Sequence, residues 1–580
     1  MKKIFSLYKY AGKYWIYAVL CPIFMVGEAV LELQIPDQIG NLINYLRYTS
    51  AEALELMEIL KYGLILLGFS FASLLSGMIG GITAAIASSG FAKNLKTDLF
   101  RKIESFSFAN IDKYSTSSLI TRMTTDSNWI QLSFAMSIRM LFRSPALFIY
   151  AIIKASRVSG DLSMIFFIAV PFILLGLIII FLTAHPHFSK GIKKIDKLNE
   201  VVEENVRGIR VVKSFTKEKA EINKFEAVSK DIYKEFTFAQ KIVNLNEPVM
   251  MISMYTVLIF IAVIGSQMTG TGDLTSGELY ELITYSFQIL INLMMMSMVF
   301  SLFIISKPSR DRVYEVLHEK PTITNPNDPI MEVKDGSIEF HNAYFKYNES
   351  SEKYVLNNIN LKINSGETIG ILGTTGSSKT TLISVIARLY DLSSGTVKVG
   401  GYDVKEYDLK VLRDAVSVVL QKNVLFSGTI LDNLRWGNKD ATDTECIEAS
   451  KIAQADSFIE QFPDKYNTYI EQGGSNVSGG QKQRLCIARA ILKNPKILIL
   501  DDSMSAVDTK TDKLIRDGLK EYRKDITKII VAQRCASVMD ADKIVIIDNG
   551  EIIGLGNHDN LMKTSKAYQE VYYSQNKEVK

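Results

Sequence analysis

The sequence has few cysteines, few prolines and little net charge. Its four cysteines, at positions 21, 446, 486 and 535, form no CxxC pair, which argues against a disulfide scaffold and against a structural zinc site. Twelve prolines and 35 glycines among 580 residues exclude a collagen-like chain and a Pro/Gly-rich disordered one. With 66 Lys and Arg against 62 Asp and Glu, the net charge of +4 is too small for a protein that binds nucleic acid through bulk charge.

Charged side chains are also missing from four long apolar runs in the N-terminal half. A bilayer span needs about 20 apolar residues, and each run is long enough to supply one. Two further candidates are less apolar, because residues 15–33 contain Glu28 and Glu32, and residues 129–153 contain Arg139 and Arg143. Together the six segments predict six transmembrane helices. The four uncharged runs are residues 62–92, 162–184, 248–272 and 282–306.

Lysine and arginine are distributed unevenly among the connections between these segments. They are frequent in residues 1–13, 93–122 and 190–213, whereas residues 271–277 contain neither. The positive-inside rule therefore predicts that both termini and the two long connections lie in the cytoplasm. We expect a multi-pass protein of the plasma membrane, in keeping with the lack of a disulfide scaffold and of a transit peptide.

The long connections and the C-terminal half have the patterns of water-exposed structure. Within residues 198–225, apolar residues recur at helical spacing among charged ones, which predicts helices that extend the membrane helices into the cytoplasm. After a Pro/Asn-rich stretch, short apolar strands alternate with helical segments, the pattern of an α/β domain. We therefore expect a transmembrane domain over residues 1–320, a linker over 321–336 and an α/β domain over 337–580.

A glycine-rich turn in this last domain has the pattern of a phosphate-binding loop. It follows a predicted strand that ends at Leu372 and precedes a predicted helix, so that backbone N–H groups and the helix N-terminus face an anion. Lys379 would neutralise the terminal phosphates of ATP, and Thr380 would ligate Mg²⁺. The residue before the lysine is Ser378 where a glycine is expected. The predicted ATP-binding residues of this loop are Gly373, Thr374, Thr375, Gly376, Ser377, Ser378, Lys379, Thr380 and Thr381.

Two further motifs accompany this loop. The predicted strand at residues 496–500 ends in Asp501 and Asp502, the position expected for a Mg²⁺-holding carboxylate and its catalytic neighbour. Between loop and strand lies the sequence VSGGQ at residues 477–481. Here the chain resembles the ABC transporter ATPases, whose signature motif it matches with Val in place of the usual Leu. The resemblance covers essentially the whole chain and implies a half-transporter of the exporter type, in the multidrug and lipid-export branch.

The resemblance also implies roles for other residues. Tyr347 matches the position that stacks on adenine, and Gln421 matches the Q-loop, which ligates Mg²⁺ and couples the nucleotide to the membrane domain. Residues 505–508 match the D-loop, and residues 108–126 and 204–225 resemble the two intracellular loops that dock on the ATPase domain. The signature contacts ATP bound to the P-loop of a second subunit. Its predicted nucleotide contacts are Ser478, Gly479, Gly480 and Gln481.

The resemblance thus predicts the fold class and the cofactors. The expected fold is a multi-domain chain with an all-α transmembrane domain of six helices and long cytoplasmic helix extensions. An α/β P-loop nucleotide-binding domain of the ABC type follows it. The expected cofactors are ATP and Mg²⁺. The expected partners are the lipid bilayer, an amphipathic small molecule or lipid as substrate, and a second, related half-transporter. No nucleic-acid partner is expected.

Two substitutions affect the catalytic positions. The family's hydrolytic glutamate is Asp502, which retracts the carboxylate by roughly 1.5 Å from the water it would activate. The family's switch histidine is Gln533, whose amide can donate a hydrogen bond to a γ-phosphate but cannot act as an acid or base. We therefore expect this chain's own P-loop site to bind ATP and hydrolyse it poorly, with Asp502, Gln533 and Gln421 as its catalytic set.

An intact signature beside impaired catalytic residues is typical of the degenerate-site half of a heterodimeric exporter. In that arrangement, the signature of this chain completes a competent site on the partner subunit. Two alternatives stay open: a self-sufficient homodimeric exporter in which the substitutions are neutral, and an ATP-gated regulatory or channel subunit. A soluble ABC ATPase is excluded by the charge-free runs.

The membrane half gives less specific information about the substrate. An ionisable residue within a span is a candidate functional site, so Glu28 could contact a cationic substrate, whereas Glu32 is more simply explained by the outer interface. A run of methionines in the sixth predicted span, Met294 to Met298, could either fill gaps between helices or form an adaptable apolar surface. The sequence does not identify the transported molecule.

Overall fold

A computed structural model describes residues 7–502 and 507–575 of the chain. In it, six helical segments are long and apolar enough to span a membrane, as predicted. Within the described residues they are Lys9–Tyr48, Leu56–Glu104, Thr116–Val158, Gly160–Phe188, Glu218–Thr271 and Ser276–His318. The helices up to residue 318 are α1 (Trp15–Glu32), α2 (Gln34–Tyr48), α3 (Leu56–Glu104), α4 (Phe108–Tyr114), α5 (Thr116–Thr121), α6 (Ser127–Val158), α7 (Gly160–Arg207), α8 (Ile209–Ser214), α9 (Glu218–Val243), α10 (Asn246–Thr271), α11 (Ser276–Ile305) and α12 (Lys307–His318).

Several of these helices extend well beyond the apolar runs. Helix α3 has 49 residues and α7 has 48, so that at 1.5 Å per residue each is roughly 70 Å long. The hydrocarbon core of a bilayer is about 30 Å thick. The apolar part of each helix therefore accounts for the span, and its charged part lies outside the hydrocarbon.

Three of the four charged residues of the two less apolar segments pair with each other. The guanidinium of Arg143 on α6 binds two carboxylates on α1, with 3.1 Å from Nε to Glu28 Oε2 and 2.8 Å from Nη2 to Glu32 Oε2. Lys154 forms a second ion pair with Asp37 on α2. Because an unpaired charge in the hydrocarbon is costly, these pairs explain why both segments can be spans. They also leave Glu28 engaged by a protein cation.

We predict that Arg143→Met lowers the thermal stability of the full-length protein in detergent, because it leaves two carboxylates without their cation. Removing one partner of a fully buried pair costs about 3 kcal/mol or more. Because these side chains are 19–30% exposed, we expect a smaller loss, of about 1 kcal/mol or more. The triple variant with Glu28→Gln, Glu32→Gln and Arg143→Met should recover most of the loss, since it leaves no unpaired charge. If Arg143→Met alone were as stable as the parent, the ion pairs of Arg143 with Glu28 and Glu32 would not contribute to the stability of the protein.

The chain divides into two units, and the second contains a segment from the middle of the first. The first unit comprises residues up to Glu104 together with Ser117–Glu319, and the second comprises Ser105–Thr116 and residues from Lys320 onward. Helix α4 therefore belongs with the α/β unit. Its Asn110 side chain donates to the backbone oxygen of Lys320 at 3.1 Å, and its Asp112 accepts from the Tyr390 hydroxyl at 2.6 Å.

The α/β unit is built on two larger sheets and a small ribbon. A six-stranded sheet has the order β12-β11-β3-β10-β9-β6, parallel except at the β12 edge, and an antiparallel sheet has the order β2-β1-β4-β5. The strands are β1 (Ile338–Phe345), β2 (Leu356–Ile363), β3 (Thr368–Leu372), β4 (Ser394–Val399), β5 (Tyr402–Asp403), β6 (Val416–Val419), β7 (Gly428–Thr429), β8 (Tyr469–Ile470), β9 (Ile497–Asp501), β10 (Thr527–Ala532), β11 (Lys543–Asp548) and β12 (Glu551–Gly556).

Helices cover the six-stranded sheet, and its inner parallel strands are buried on both faces. In β9, Ile497 and Ile499 pack into one apolar cluster, whereas Leu498 and Leu500 pack into the other. This two-sided burial is typical of parallel sheets. The helices of this unit after residue 320 are α13 (Lys379–Ile386), α14 (Leu409–Ala415), α15 (Ile430–Arg435), α16 (Asp443–Ile452), α17 (Asp456–Ile459), α18 (Gly479–Leu492), α19 (Thr509–Tyr522), α20 (His558–Thr564) and α21 (Lys566–Gln575).

Candidate functional site

The predicted P-loop, Asp501, Asp502, Gln421 and Gln533 lie together at the carboxyl edge of the parallel sheet. Strands β3, β10, β9 and β6 are neighbours in register, with Ala532 opposite Leu372 and Val531 opposite Asp501. The segments that follow these four strands are the P-loop, Gln533, Asp502 and Gln421. Parallel pairing therefore brings together residues that are up to 160 positions apart in the sequence.

The P-loop wraps around the ammonium group of Lys379. Its Nζ donates to the backbone oxygens of Gly373 at 2.8 Å and Thr374 at 2.7 Å, and to Ser377 Oγ at 3.3 Å. Burial lowers the pKa of Lys379, while the carboxylates of Asp502 and Asp501 act in the opposite direction. A buried cation held by carbonyl oxygens is placed to transfer its hydrogen bonds to phosphate oxygens.

The backbone of the loop explains why a glycine is expected before the lysine. Ser378, the residue before α13, has φ +77°, in the left-handed region, and Gly376 has φ +86°. A residue with a Cβ in this region costs roughly 1–2 kcal/mol. The serine thus preserves the loop conformation with some local strain. The positions of Thr375 and Thr381 within the loop and first helical turn agree with the sequence pattern.

Thr380 and Asp501 form a pair of oxygen donors at the mouth of the loop. The hydroxyl of Thr380 donates to Asp501 Oδ2 at 2.9 Å, and Asp501 is 2% exposed. Burial raises the pKa of Asp501, whereas the hydrogen bond from Thr380 lowers it. A hydroxyl and a carboxylate beside bound phosphates suit Mg²⁺, which prefers oxygen ligands and takes the rest from phosphate and water. These two residues would hold the ion, and the charge of the ion would neutralise part of the charge on the phosphates.

Asp502 is bound by two amide side chains. Its Oδ2 accepts from Gln533 Nε2 at 3.0 Å and from Gln421 Nε2 at 3.4 Å. Burial raises the pKa of this carboxyl, and the hydrogen bond from Gln421, the charge of Lys379 and the hydrogen bond from Gln533 oppose that rise. The two substituted positions are thus in direct contact. The sequence identified both residues but gave no sign of this contact, because 31 residues separate them.

Tyr347 lies at the edge of the P-loop with more than half of its side chain exposed. Its hydroxyl is 3.0 Å from Thr381 Oγ1, and its ring packs edge-on against Tyr390 with centroids 5.2 Å apart. Tyr390 is the residue that donates to Asp112 of α4. An aromatic ring with an open face near the phosphate loop is suited to stack on a base.

The signature segment begins a 14-residue helix, α18. Ser478 caps this helix: its Oγ accepts from the Gln481 N–H at 3.3 Å, and Gln481 Oε1 accepts from the Ser478 N–H at 2.8 Å. Val477 is buried. Gly479 and Gly480 occupy the first turn, where unpaired N–H groups and the helix dipole favour an anion. The substitution of Val for the usual Leu therefore leaves an intact helix start.

The structure describes only part of the predicted D-loop. Ser505 and Ala506 lie outside the described residues, whereas Val507 is buried and Asp508 caps α19 by accepting from the Thr511 N–H at 3.0 Å.

In the sixth span, Met294 and Met298 are 39% and 68% exposed. These two methionines are therefore not buried within their own unit.

Two family models match the two halves of the chain. The ABC transporter transmembrane region matches residues 18–294, and the ABC transporter model, which describes the ATP-binding domain, matches residues 356–505. The chain belongs to the ABC transporter family. The predicted fold class is thereby confirmed. Membership of this family means that the protein binds ATP and couples its hydrolysis to transport across a membrane.

Known relatives match over most of the length of this transporter. The uncharacterized ABC transporter ATP-binding protein YfiB of Bacillus subtilis is 32% identical over 575 residues, 99% of this chain and 98% of that protein. A fatty acid ABC transporter ATP-binding/permease protein of Mycobacterium bovis is 31% identical over 83% of this chain and 75% of its own length. A bacterial Atm1-family ABC exporter with ATP bound has the same fold, with a TM-score of 0.82 at 21% identity over 97% of this chain and 98% of that one.

We predict that Asp501→Asn raises the melting temperature of the nucleotide-free transporter, because burial raises the pKa of Asp501 in the folded protein above its unfolded value. The cost of ionising this buried carboxyl is absent below its ordinary pKa of about 4. It grows as the pH rises through the folded pKa, so the difference between variant and parent should increase from acidic to neutral pH. The measurement is thermal unfolding in detergent at several pH values.

Asp508→Ala is the matched control for this prediction. Hydrogen bonds from Thr511 lower the pKa of Asp508, so its removal should lower the melting temperature at neutral pH. MgATP should protect the parent and Asp508→Ala more than Asp501→Asn. A decrease in stability of nucleotide-free Asp501→Asn would contradict the assignment.

Proposed function

We propose that this transporter is one half of a heterodimeric ABC exporter, with a P-loop site of its own that binds ATP and hydrolyses it poorly. The observation that carries the proposal is the environment of Asp502, whose Oδ2 is bound by the amides of Gln533 and Gln421. A general base must reach hydrogen-bonding distance of its water. Asp502 is one methylene shorter than glutamate, and it is engaged by two donors.

Gln533 strengthens the argument because it cannot replace an imidazole. Its amide can donate to a phosphate oxygen, but it neither carries a positive charge nor exchanges a proton near neutral pH. Lys379, Thr380, Asp501 and the glycines of the loop retain the groups needed to bind MgATP. The substitutions at residues 502 and 533 are thus expected to impair hydrolysis at this site without removing the groups that bind MgATP.

The signature motif supports a second subunit with a competent site. Ser478 and Gln481 form a complete helix cap, and their side-chain hydrogen bonds among the described residues stay within the motif. The N-terminus of α18 is therefore available for the terminal phosphate on another P-loop. In this proposal, ATP closes the two ATPase domains, the intracellular loops transmit closure to the spans, and hydrolysis at the partner's site reopens them.

We further propose that the exported molecules are small and amphipathic, either drugs or lipids. The similarity to a fatty acid transporter of Mycobacterium bovis supports a lipid-like substrate, and the exposed Met294 and Met298 supply an adaptable apolar surface. Because Glu28 is paired with Arg143, it offers little support for a cationic substrate.

We propose that the orientation of the protein in the membrane follows the distribution of Lys and Arg, with the termini and the ATPase domain in the cytoplasm of a plasma-membrane protein. The domain limits at residues 320 and 337 are part of this proposal.

We predict that the full-length chain, purified alone, binds ATP and shows little turnover. The double variant Asp502→Glu, Gln533→His should hydrolyse ATP about 100-fold faster than the parent, because a well-placed acid–base group contributes 10²–10⁴-fold. Lys379→Ala in the same background is the control that removes nucleotide binding. Rapid hydrolysis by a verified homodimer of the unaltered chain would instead support the self-sufficient homodimeric exporter.

A second prediction concerns the complete exporter, purified with its partner subunit. Ser478→Ala should reduce transport and ATPase activity more than Asp502→Asn, because Ser478 serves the competent site and Asp502 the impaired one. ATPase activity and uptake into inverted vesicles measure both effects. Equal losses from the two variants would contradict asymmetric roles. ATP-dependent ion conductance without ATP-driven uptake would favour a channel.

A further inference from the structure

The last described helix, α21, contacts the segment that carries Gln533. The side chain of Gln575 makes two hydrogen bonds there: its Oε1 accepts from the Cys535 N–H at 2.8 Å, and its Nε2 donates to the backbone oxygen of Gln533 at 2.8 Å. The two backbone groups flank Arg534. One amide side chain thus fixes both ends of a three-residue segment.

Helix α21 is anchored firmly enough to hold this contact. Tyr568 is fully buried in the apolar core, and its hydroxyl is 2.7 Å from Nδ1 of His558. Val571 and Tyr572 pack against the same core cluster. Residues at i, i+3, i+4 and i+7 share one face of a helix, so Gln575 continues this inner face toward residues 533–535. The contact is an extension of the packed face rather than a chance surface bond.

The same segment presents the side chain of Gln533 to the nucleotide site. Strand β10 ends at Ala532, and the Gln533 amide donates from the next position to Asp502 Oδ2 at 3.0 Å. After the strand, a short 3₁₀ turn begins at Cys535, which is buried. A shift of the backbone between these points would move the Gln533 amide relative to the P-loop.

We infer that Gln575 is a positioning residue of this nucleotide site: it holds residues 533–535 so that the amide of Gln533 is directed toward the terminal phosphate of bound ATP. The inference rests on the proposed role of Gln533 at the γ-phosphate. Since ADP lacks that phosphate, loosening the segment should weaken ATP binding and leave ADP binding almost unchanged. A merely structural role would weaken both.

The experiment measures the affinities of the full-length chain for ATP and ADP, each with Mg²⁺, at a temperature at which turnover is negligible. We expect Gln575→Ala to weaken ATP binding by about fivefold, the effect of losing roughly one net hydrogen bond, and to change ADP binding by less than about twofold. Gln575→Glu keeps the acceptor for the Cys535 N–H but loses the donor to the Gln533 oxygen, so its ATP affinity should be intermediate.

Gln569→Ala is the matched control on the same helix, because the Gln569 amide donates to Met562, at 2.7 Å, within the two C-terminal helices. It should leave the ratio of ATP to ADP affinity unchanged. A parental ratio in both Gln575 variants, or parallel losses for the two nucleotides, would overturn the inference. If Gln575→Ala does not fold, Gln575→Glu decides the question alone. Rapid ATP turnover by the parent would overturn the proposed function. The ratio of ATP to ADP affinity in the Gln575 variants would still test the positioning role of Gln575.

Discussion

Parallel pairing of β3, β10, β9 and β6 is the constraint on which the nucleotide site depends. The four strands end at one edge of the sheet, and the register sets Val531 opposite Asp501 and Ala532 opposite Leu372. Asp501, Asp502, Gln533 and Gln421 lie at a strand end or within two residues after it, and Lys379 and Thr380 begin the helix after the P-loop. Burial of the strands on both faces keeps this edge fixed, because any change of register would move large apolar side chains out of the two core clusters.

The same edge concentrates groups whose burial is costly. Lys379 has a lowered pKa, and Asp501 and Asp502 have raised ones, in each case chiefly through burial. Such a site is less stable without its ligand than an apolar one, and bound MgATP relieves the cost by supplying opposite charges. The carboxylate of Asp502 is held directly by the side-chain amides of Gln421 and Gln533. Gln575 acts indirectly, through its hydrogen bonds to the backbone of residues 533–535.

The membrane unit handles charge by pairing. Arg143 joins α6 to α1 through Glu28 and Glu32, and Lys154 joins α6 to α2 through Asp37. These pairs join three helices and leave none of the five charges involved without a partner of opposite sign. In contrast, α7 and α10 contain long uncharged runs, and their packing relies on apolar contacts such as those of Phe166 and Ile261.

By itself, the sequence determined the elements whose signals are local. Uncharged runs predict spans, a glycine-rich turn before Lys379 predicts a phosphate loop, and an apolar strand before Asp501 predicts its carboxyl end, because each pattern is contained within about 30 residues. The contacts of Asp502 with Gln421 and Gln533, of Arg143 with Glu28, and of Gln575 with the 533–535 backbone were decided only by the tertiary structure. They join residues 31 to 115 positions apart, and strand order and helix packing, which no local pattern encodes, bring these residues together.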